Sequence, residues 1–313
     1  VPYNSLVSRT DAAAMVPEQV ATNMLANLDA QSAALQMATR IPVARNQVRF
    51  PVLTALPVAY FVSGDTGLKQ TTEAAWDNKY LYIEEIATII PIPESVLDDA
   101  GFDIWGYLQP LMEQAILRKL DAAIFFGASA PAAWPDDVTT SAVAAGNVIA
   151  RGTNAAAAGG VWGDVSDVLS KLEADGYGAT DAIGNITLKG RFRNARATTG
   201  EQASFKDDVQ AALPDINYAL PGLWPTGVNA AELIVGMGNQ MIVGIRQDMT
   251  YKLLTEAVIT DAGGLVVYNL PQQDMVAMRL VFRAGWEVAN PINYQEATEA
   301  NRYPFAVLRS PAS

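Results

Sequence analysis

An α+β fold is expected for this 313-residue chain from three features. Five prolines (42, 51, 57, 91 and 93) break residues 41–93 into strand-like pieces, and one six-turn helical pattern follows at 103–126. Beyond it, helices and strands are mixed without the strict alternation that a wound parallel sheet requires.

Residues 1–14 mix Pro, Asn, Ser, Thr and Asp with small apolar residues and lack periodicity, so they read as an extended arm. Val16, Val20, Met24 and Leu28 then recur every four residues. Pro17 sits at a first-turn position, where a missing N–H costs little. An amphipathic helix to about residue 38 follows from this spacing. The prolines of residues 41–92 rule out a long helix there. Residues 48–50 and 58–62 read as strands, and 80–92 as a longer one. Residues 63–78 lie between the last two, with two glycines, the pair Thr71-Thr72 and mixed charge. They form a long hairpin-like excursion, and long loops of this kind are usually functional. A loop that carries its own strands needs something outside itself to pack against.

Residues 94–99 read as a short helix begun after Pro93. Asp103 is placed to cap the long helix, whose apolar face runs through Ile104, Leu108, Met112, Ile116, Leu120 and Ile124. Pro110 removes one backbone bond inside it and is expected to bend it, and Gly127 is a natural stop. Residues 127–160, rich in Ala, Gly, Pro and Asn, read as a surface excursion with at most a short hairpin. Asp164 is expected to open a helix that closes at Gly176, followed by a strand at 182–188. Arg191, Arg193 and Arg196 fall on a short helical stretch, and residues 201–219 read as polar and irregular. Residues 232–237 and 241–245 are strand-like or partly helical. Residues 249–260, 266–270 and 275–282 read as strands, the last two as an antiparallel pair turning near 271–274. Residues 305–309 make a closing strand.

Composition removes most chemistry. Half the residues are apolar and 17% are charged, enough for a large core. No apolar run approaches the ~20 residues of a membrane helix. The chain has no Cys and no His, which excludes disulfides, thiol nucleophiles, His-based triads and the usual zinc sites. With 33 acidic and 21 basic residues the net charge is −12, which argues against nucleic-acid binding as the main task. Glu84 and Glu85 are a poor catalytic pair, because neighbouring strand residues point to opposite faces. Glu94, Asp98, Asp99 and Asp103 lack the glycine-turned loop of a calcium site and suit helix capping instead. No catalytic, metal or cofactor site is expected.

Four stretches, taken in order, resemble one known family. They are Met15-Val16-Pro17-Glu18-Gln19-Val20 and the excursion at 55–90 with Glu73 and Trp76. Next comes Ile90-Pro91-Ile92-Pro93-Glu94-Ser95-Val96-Leu97-Asp98-Asp99 with Phe102-Asp103-Ile104 and Asp121-Ala122-Ala123-Ile124-Phe125-Phe126-Gly127. Last are Val235-Gly236, Ile245-Arg246-Gln247-Asp248 and Thr255-Glu256-Ala257. Together they resemble the major capsid proteins of tailed bacteriophages, with the HK97-type shell fold, over about residues 15–308.

The resemblance implies an N-terminal arm and first helix (1–40), an E-loop hairpin (41–92) and a P-domain with a spine helix (93–162). It further implies an axial A-domain (163–241), then P-domain return strands and a last A-domain strand (242–313). It implies a non-enzymatic subunit that self-assembles as hexamers and pentamers into an icosahedral head around double-stranded DNA, without cofactor, membrane or sequence-specific DNA contact. Portal, scaffold or protease, and decoration proteins are the implied partners, the virion the location, and the host cytoplasm the place of assembly. A start at Val1 is compatible with the N-terminal cleavage found in that family.

Lys69, Glu73 and Trp76 become candidate inter-subunit contacts of the E-loop. In some members an E-loop lysine forms an isopeptide bond with an asparagine of another subunit. Here the matching region, residues 272–275, offers Asp274, so cross-linking is not expected. Arg191, Arg193 and Arg196 are candidates for an inter-subunit contact, a DNA contact, or solvent. Trp134, Trp224 and Trp286, like Trp76, read as core or interface anchors. Two other readings stand beside this one: an encapsulin-like compartment shell, and a carboxylate-dependent hydrolase.

Overall fold

The computed structural model describes residues 32–62, 69, 71–99, 103–195 and 206–312, with the side chains of Gln247 and Asp248 set aside. The expected arm and most of the first helix, the excursion's residues 63–68 and 70, and Arg196 lie outside the described residues. The described chain opens on helix α1 (Ala33–Met37), capped by the Ser32 side chain, which accepts from Leu35 N.

Strand β1 (Thr39–Pro42) leads to β2 (Gln47–Ala55), β3 (Ala75–Tyr82) and β4 (Glu84–Pro93). β2 and β3 form an antiparallel two-stranded ribbon in which Val48 faces Leu81 and Leu53 faces Trp76. The strand expected at 58–62 is not one. The ladder ends where Ala55 meets Ala75, and Pro57 has no N–H to extend it; Val58 N donates to the Thr72 hydroxyl at 2.8 Å instead. The long strand expected at 80–92 breaks at Ile83, and its two parts join different sheets.

After α2 (Glu94–Asp99), α3 (Ile104–Phe126) meets its expected bounds. Asp103 accepts from Gly106 N, Pro110 lies within the helix, and Gly127 ends it in the left-handed conformation at φ 64°. Residues 127–160 are not a surface excursion. They contain α4 (Val138–Ala144), capped by Asp137, and β5 (Val148–Ala150), and they bury Trp134, Val138 and Ala142. Val138 and Ala142 turn the buried face of α4 towards the core.

α5 (Val161–Ala174) begins three residues before Asp164. That carboxylate is fully buried and accepts from the backbone N–H of Gly152 and Asn154 at 2.7 and 2.8 Å. The strand expected at 182–188 is only β6 (Asp181–Gly184). Asn185 turns the chain by accepting from Thr187 N, and α6 (Thr187–Asn194) follows. The expected irregular stretch contains α7 (Lys206–Ala212) and β7 (Ile216–Asn217).

The last third supplies β8 (Ala231–Gly236), β9 (Met241–Leu254), β10 (Val258–Thr260), β11 (Val266–Asn269), β12 (Met275–Val288) and β13 (Phe305–Arg309). The expected pairing of 266–270 with 275–282 does not occur. β11 folds back on β10, because Asp261 accepts from Gly263 N and Leu265 N and makes the turn there. β12 is then free to pair antiparallel with both β4 and β9.

Two larger sheets organise the body: β1-β9-β12-β4, and β5-β13-β8-β6-β7. α3 lies along the first, where Met112, Ile116 and Leu120 share a core with Met278, Leu280 and Phe282. Burying each such side chain contributes about 1.5–3 kcal/mol. The second sheet is covered on both faces. Ile234, Phe305 and Val307 join that same core, while their neighbours Leu233, Val235, Ala306 and Leu308 join a separate one with Val165, Val168 and Leu172 of α5.

Candidate assembly surface

The β2–β3 ribbon is seated most firmly at its base, and farther along Val52 is buried and the Leu53 carbonyl accepts from Ile292 N at 3.1 Å. Leu81 is fully buried and forms a small core with Val43 and Ile83. Beneath it, Gly244 of β9 and Gly285 of β12 face each other across the ladder. A methyl on Gly285 would overlap the Tyr82 carbonyl oxygen, and one on Gly244 would lie 2.9 Å from Leu81 and Val43 side-chain carbons. The glycines thus permit the ribbon base to approach the sheet closely. The Trp134 indole N–H donates to the Tyr82 carbonyl at 3.1 Å. Lys79 donates to the Val288 carbonyl and pairs with Glu299 at 3.1 Å.

Towards the loop several apolar residues meet water. Trp76 is 66% exposed, Val58 70%, and Phe61 fully. Lys69 and Glu73 are also exposed. Of the four tryptophans read as anchors, Trp134, Trp224 and Trp286 are buried within the chain, and Trp76 is not.

The sequence reading missed a second exposed apolar ribbon, β10–β11. Val258, Leu265, Val266 and Val267 lie at its surface, with Leu265 73% exposed. Its signal was the unbroken apolar run 265–268 directly after Gly263-Gly264, which shows no alternation of a buried and a wet face.

The two described arginines of the predicted cluster have different surroundings. Arg191 lies 3.6 Å from Glu232, which Arg151 holds at 2.7 Å, while Arg193 lines a cleft beside α7. Arg196 is outside the described residues. The predicted acids are likewise dispersed. Glu85 pairs with Arg283 at 2.6 Å, Asp103 caps α3, and no metal-ligating group occurs among the described residues.

One buried acid was not anticipated. Asp121 of α3 accepts from the Ser32 hydroxyl at 2.5 Å and from Ala33 N and Ala34 N at 3.0 and 3.1 Å. It fastens the start of α1 to the long helix. Burial pushes its carboxyl up to about 6, outweighing the opposing hydrogen bonds from Ser32, Ala34 and Ala33. Burial also raises the Glu287 carboxyl, against the lowering effect of Lys79.

A long helix laid on a mostly antiparallel sheet, a second sheet buried on both faces, and ribbons whose apolar ends stay wet define a self-assembling shell subunit of the HK97-like fold. The family model of the phage capsid family matches residues 12–293, and the chain belongs to that family. It is therefore a structural capsid protein of the virion that assembles with its own copies into shells, and not an enzyme.

A solved structure from Microbacterium phage Oxtober96 has 34% identity and a TM-score of 0.84, over 98% of this chain and 100% of that one. One from Mycobacterium phage Bobi has 29% identity and a TM-score of 0.85, over 99% and 100%. The capsid of a native GTA particle shares the fold at 18% identity, with a TM-score of 0.69 over 99% and 100%. No curated protein matches the chain.

Proposed function

We propose that copies of this chain close, as hexamers and pentamers, into an icosahedral head around double-stranded phage DNA. The supporting observation is the β2–β3 ribbon, anchored on the body while Val58, Phe61 and Trp76 stay exposed among the described residues. In a closed symmetric assembly every such end can lie on a sister copy. In this reading residues 41–92 carry the E-loop, with Lys69, Glu73 and Trp76 meeting a neighbouring subunit. Residues 1–40 form the arm, and 93–162 and most of 242–313 the P-domain around α3. Residues 163–241 and β13 form the A-domain.

Arg191, Arg193 and Arg196 serve contacts between subunits rather than DNA, in keeping with the pairing of Arg191 to Glu232. The net charge of −12 per copy limits adhesion of phosphate wherever acids face the interior. Assembly takes place in the host cytoplasm, with portal, scaffold or protease, and decoration proteins as further partners.

Deleting residues 64–75 tests the reading. The subunit is expected to stay soluble and folded by circular dichroism while its shell yield, read by gradient sedimentation and electron microscopy, falls at least tenfold. Normal particles from the deletion would contradict it.

A further inference from the structure

Along β12, Met278, Leu280 and Phe282 turn toward α3, so the odd-numbered residues point to the far face of the sheet. On that face Arg279 stands directly opposite Lys252 of β9, with Ile89 of β4 on its other side. Lys252, Ile89 and Ala87 are exposed. Like charges set opposite each other across an antiparallel ladder repel. Farther along the same face Arg283 is paired with Glu85. Arg279 and Lys252 have no hydrogen bond or ion pair among the described residues. The next rungs of the ladder, Pro91-Ala277-Leu254 on one side and Ala87-Val281-Thr250 on the other, are uncharged. Two cations are therefore held together on a patch that supplies no acid.

The ribbon of the same molecule runs away from them. It is seated on this same face, where Gly285 passes beneath Tyr82. From there it follows β12 in the other direction, with Lys79 donating to the Val288 carbonyl and the Leu53 carbonyl accepting from Ile292 N. Arg279 lies back along the strand from Gly285 by about 20 Å, at the rise of an extended chain.

We infer that Arg279 and Lys252 receive the Glu73 carboxylate from the ribbon of a sister copy. Glu73 is exposed toward the ribbon's outer end and has no hydrogen bond or ion pair among the described residues. Between two cations it makes charge-assisted bonds and relieves their mutual repulsion. Trp76 follows three residues after Glu73 and reaches the same patch, where Ile89 gives apolar cover and Arg279 a cation for the ring face. Each copy carries a surplus of twelve negative charges, so adjoining subunits repel unless acids of one meet cations of the next. The inference rests on the shell reading and names the residues that the ribbon meets.

Shells assembled from an equal mixture of ¹⁴N- and ¹⁵N-labelled subunits, treated with a carbodiimide, test it directly. This reagent joins an amine to a carboxylate in contact without adding a spacer. Peptides are expected in which Lys252 of one isotope is joined to Glu73 of the other. Shells in which these two residues give no link, or only same-isotope links, would overturn the inference and leave the shell reading intact. Subunits that form no shells at all would defeat the shell reading, and the inference with it.

Charge reversal adds a second arm. Lys252→Glu with Arg279→Glu is expected to lower shell yield at least tenfold, and Glu73→Lys alone about threefold. Adding Glu73→Lys to the double reversal is expected to restore most of the yield, which a folding defect would not allow. Lys252→Gln removes the cross-strand repulsion, so thermal melting of the unassembled subunit is expected to stay level or rise while shell yield falls about threefold. A purely structural role does not produce that split. If the double reversal misfolds, Lys252→Gln with Arg279→Gln replaces it. Unchanged yield from the folded double variant overturns the inference, as does a triple variant that assembles no better than the double one.

Discussion

β8 and β2 are both apolar strands with opposite fates. All six residues of β8 are buried, because it lies between β13 and β6 with helices covering both faces of the sheet. β2 has one partner, β3, and of its nine residues only Val52 is buried. Strand composition therefore does not decide burial; the number of neighbours in the sheet and the layers over it do. The first kind of strand holds the molecule together, and the second leaves the exposed surface on which the proposed contact with a sister copy rests.

The contrast can be broken at its strongest point. Val235→Asp places a charge in the core beneath α5, where Val235 has no exposed surface. The expected cost is more than about 4 kcal/mol, or failure to fold, read by urea unfolding. Gly285→Ala acts where ribbon and body meet. The added methyl overlaps the Tyr82 carbonyl and is expected to cost up to about 3 kcal/mol, with faster hydrogen exchange in β3 than in β8.

Asp121 sharpens the comparison, being a charge inside the well-buried region. Folding raises its pKa from 3.8 to about 6, so the folded chain binds the extra proton between those values. Its contribution to stability is therefore largest in acid and is lost as pH rises through 6. The stability of the natural chain relative to Asp121→Asn is expected to improve by about 2 kcal/mol between pH 7 and pH 4.5, measured by denaturant titration at both. No change between the two pH values would refute it. The smallest effect on stability belongs to the ribbon's outer end. Trp76→Ala is expected to leave unfolding within about 0.5 kcal/mol of the natural chain, while shell yield falls severalfold.

Elements defined by local signals were legible. α3 runs between the Asp103 cap and the Gly127 stop because both signals lie in adjacent residues. The ribbon was legible as an excursion, through its prolines, glycines and mixed charge, but its strand boundaries were not. Residues 58–62 have strand-like composition and no partner, and partners are not a local property. α4 and α7 were hidden by alanine and by polar residues whose helicity comes from the Asp137 cap in α4 and from packing of Val209 in α7. Asp121 gives no local sign of its role, since the hydroxyl and backbone N–H groups it accepts from lie 87 to 89 residues away.

By itself, then, the amino-acid order determined the absence of cysteine and histidine chemistry, the acidic surplus, the long capped helix and the family resemblance. These depend on composition or on residues within a few positions of one another. Tertiary structure alone decided that β12 bridges β4 and β9, that β11 folds onto β10, and that Trp76 and Leu265 stay wet while Trp286 is enclosed. Pairing and burial depend on which distant segments occupy the adjacent edge and the overlying layer, and hydrophobicity rewards any cover that arrives first without specifying which.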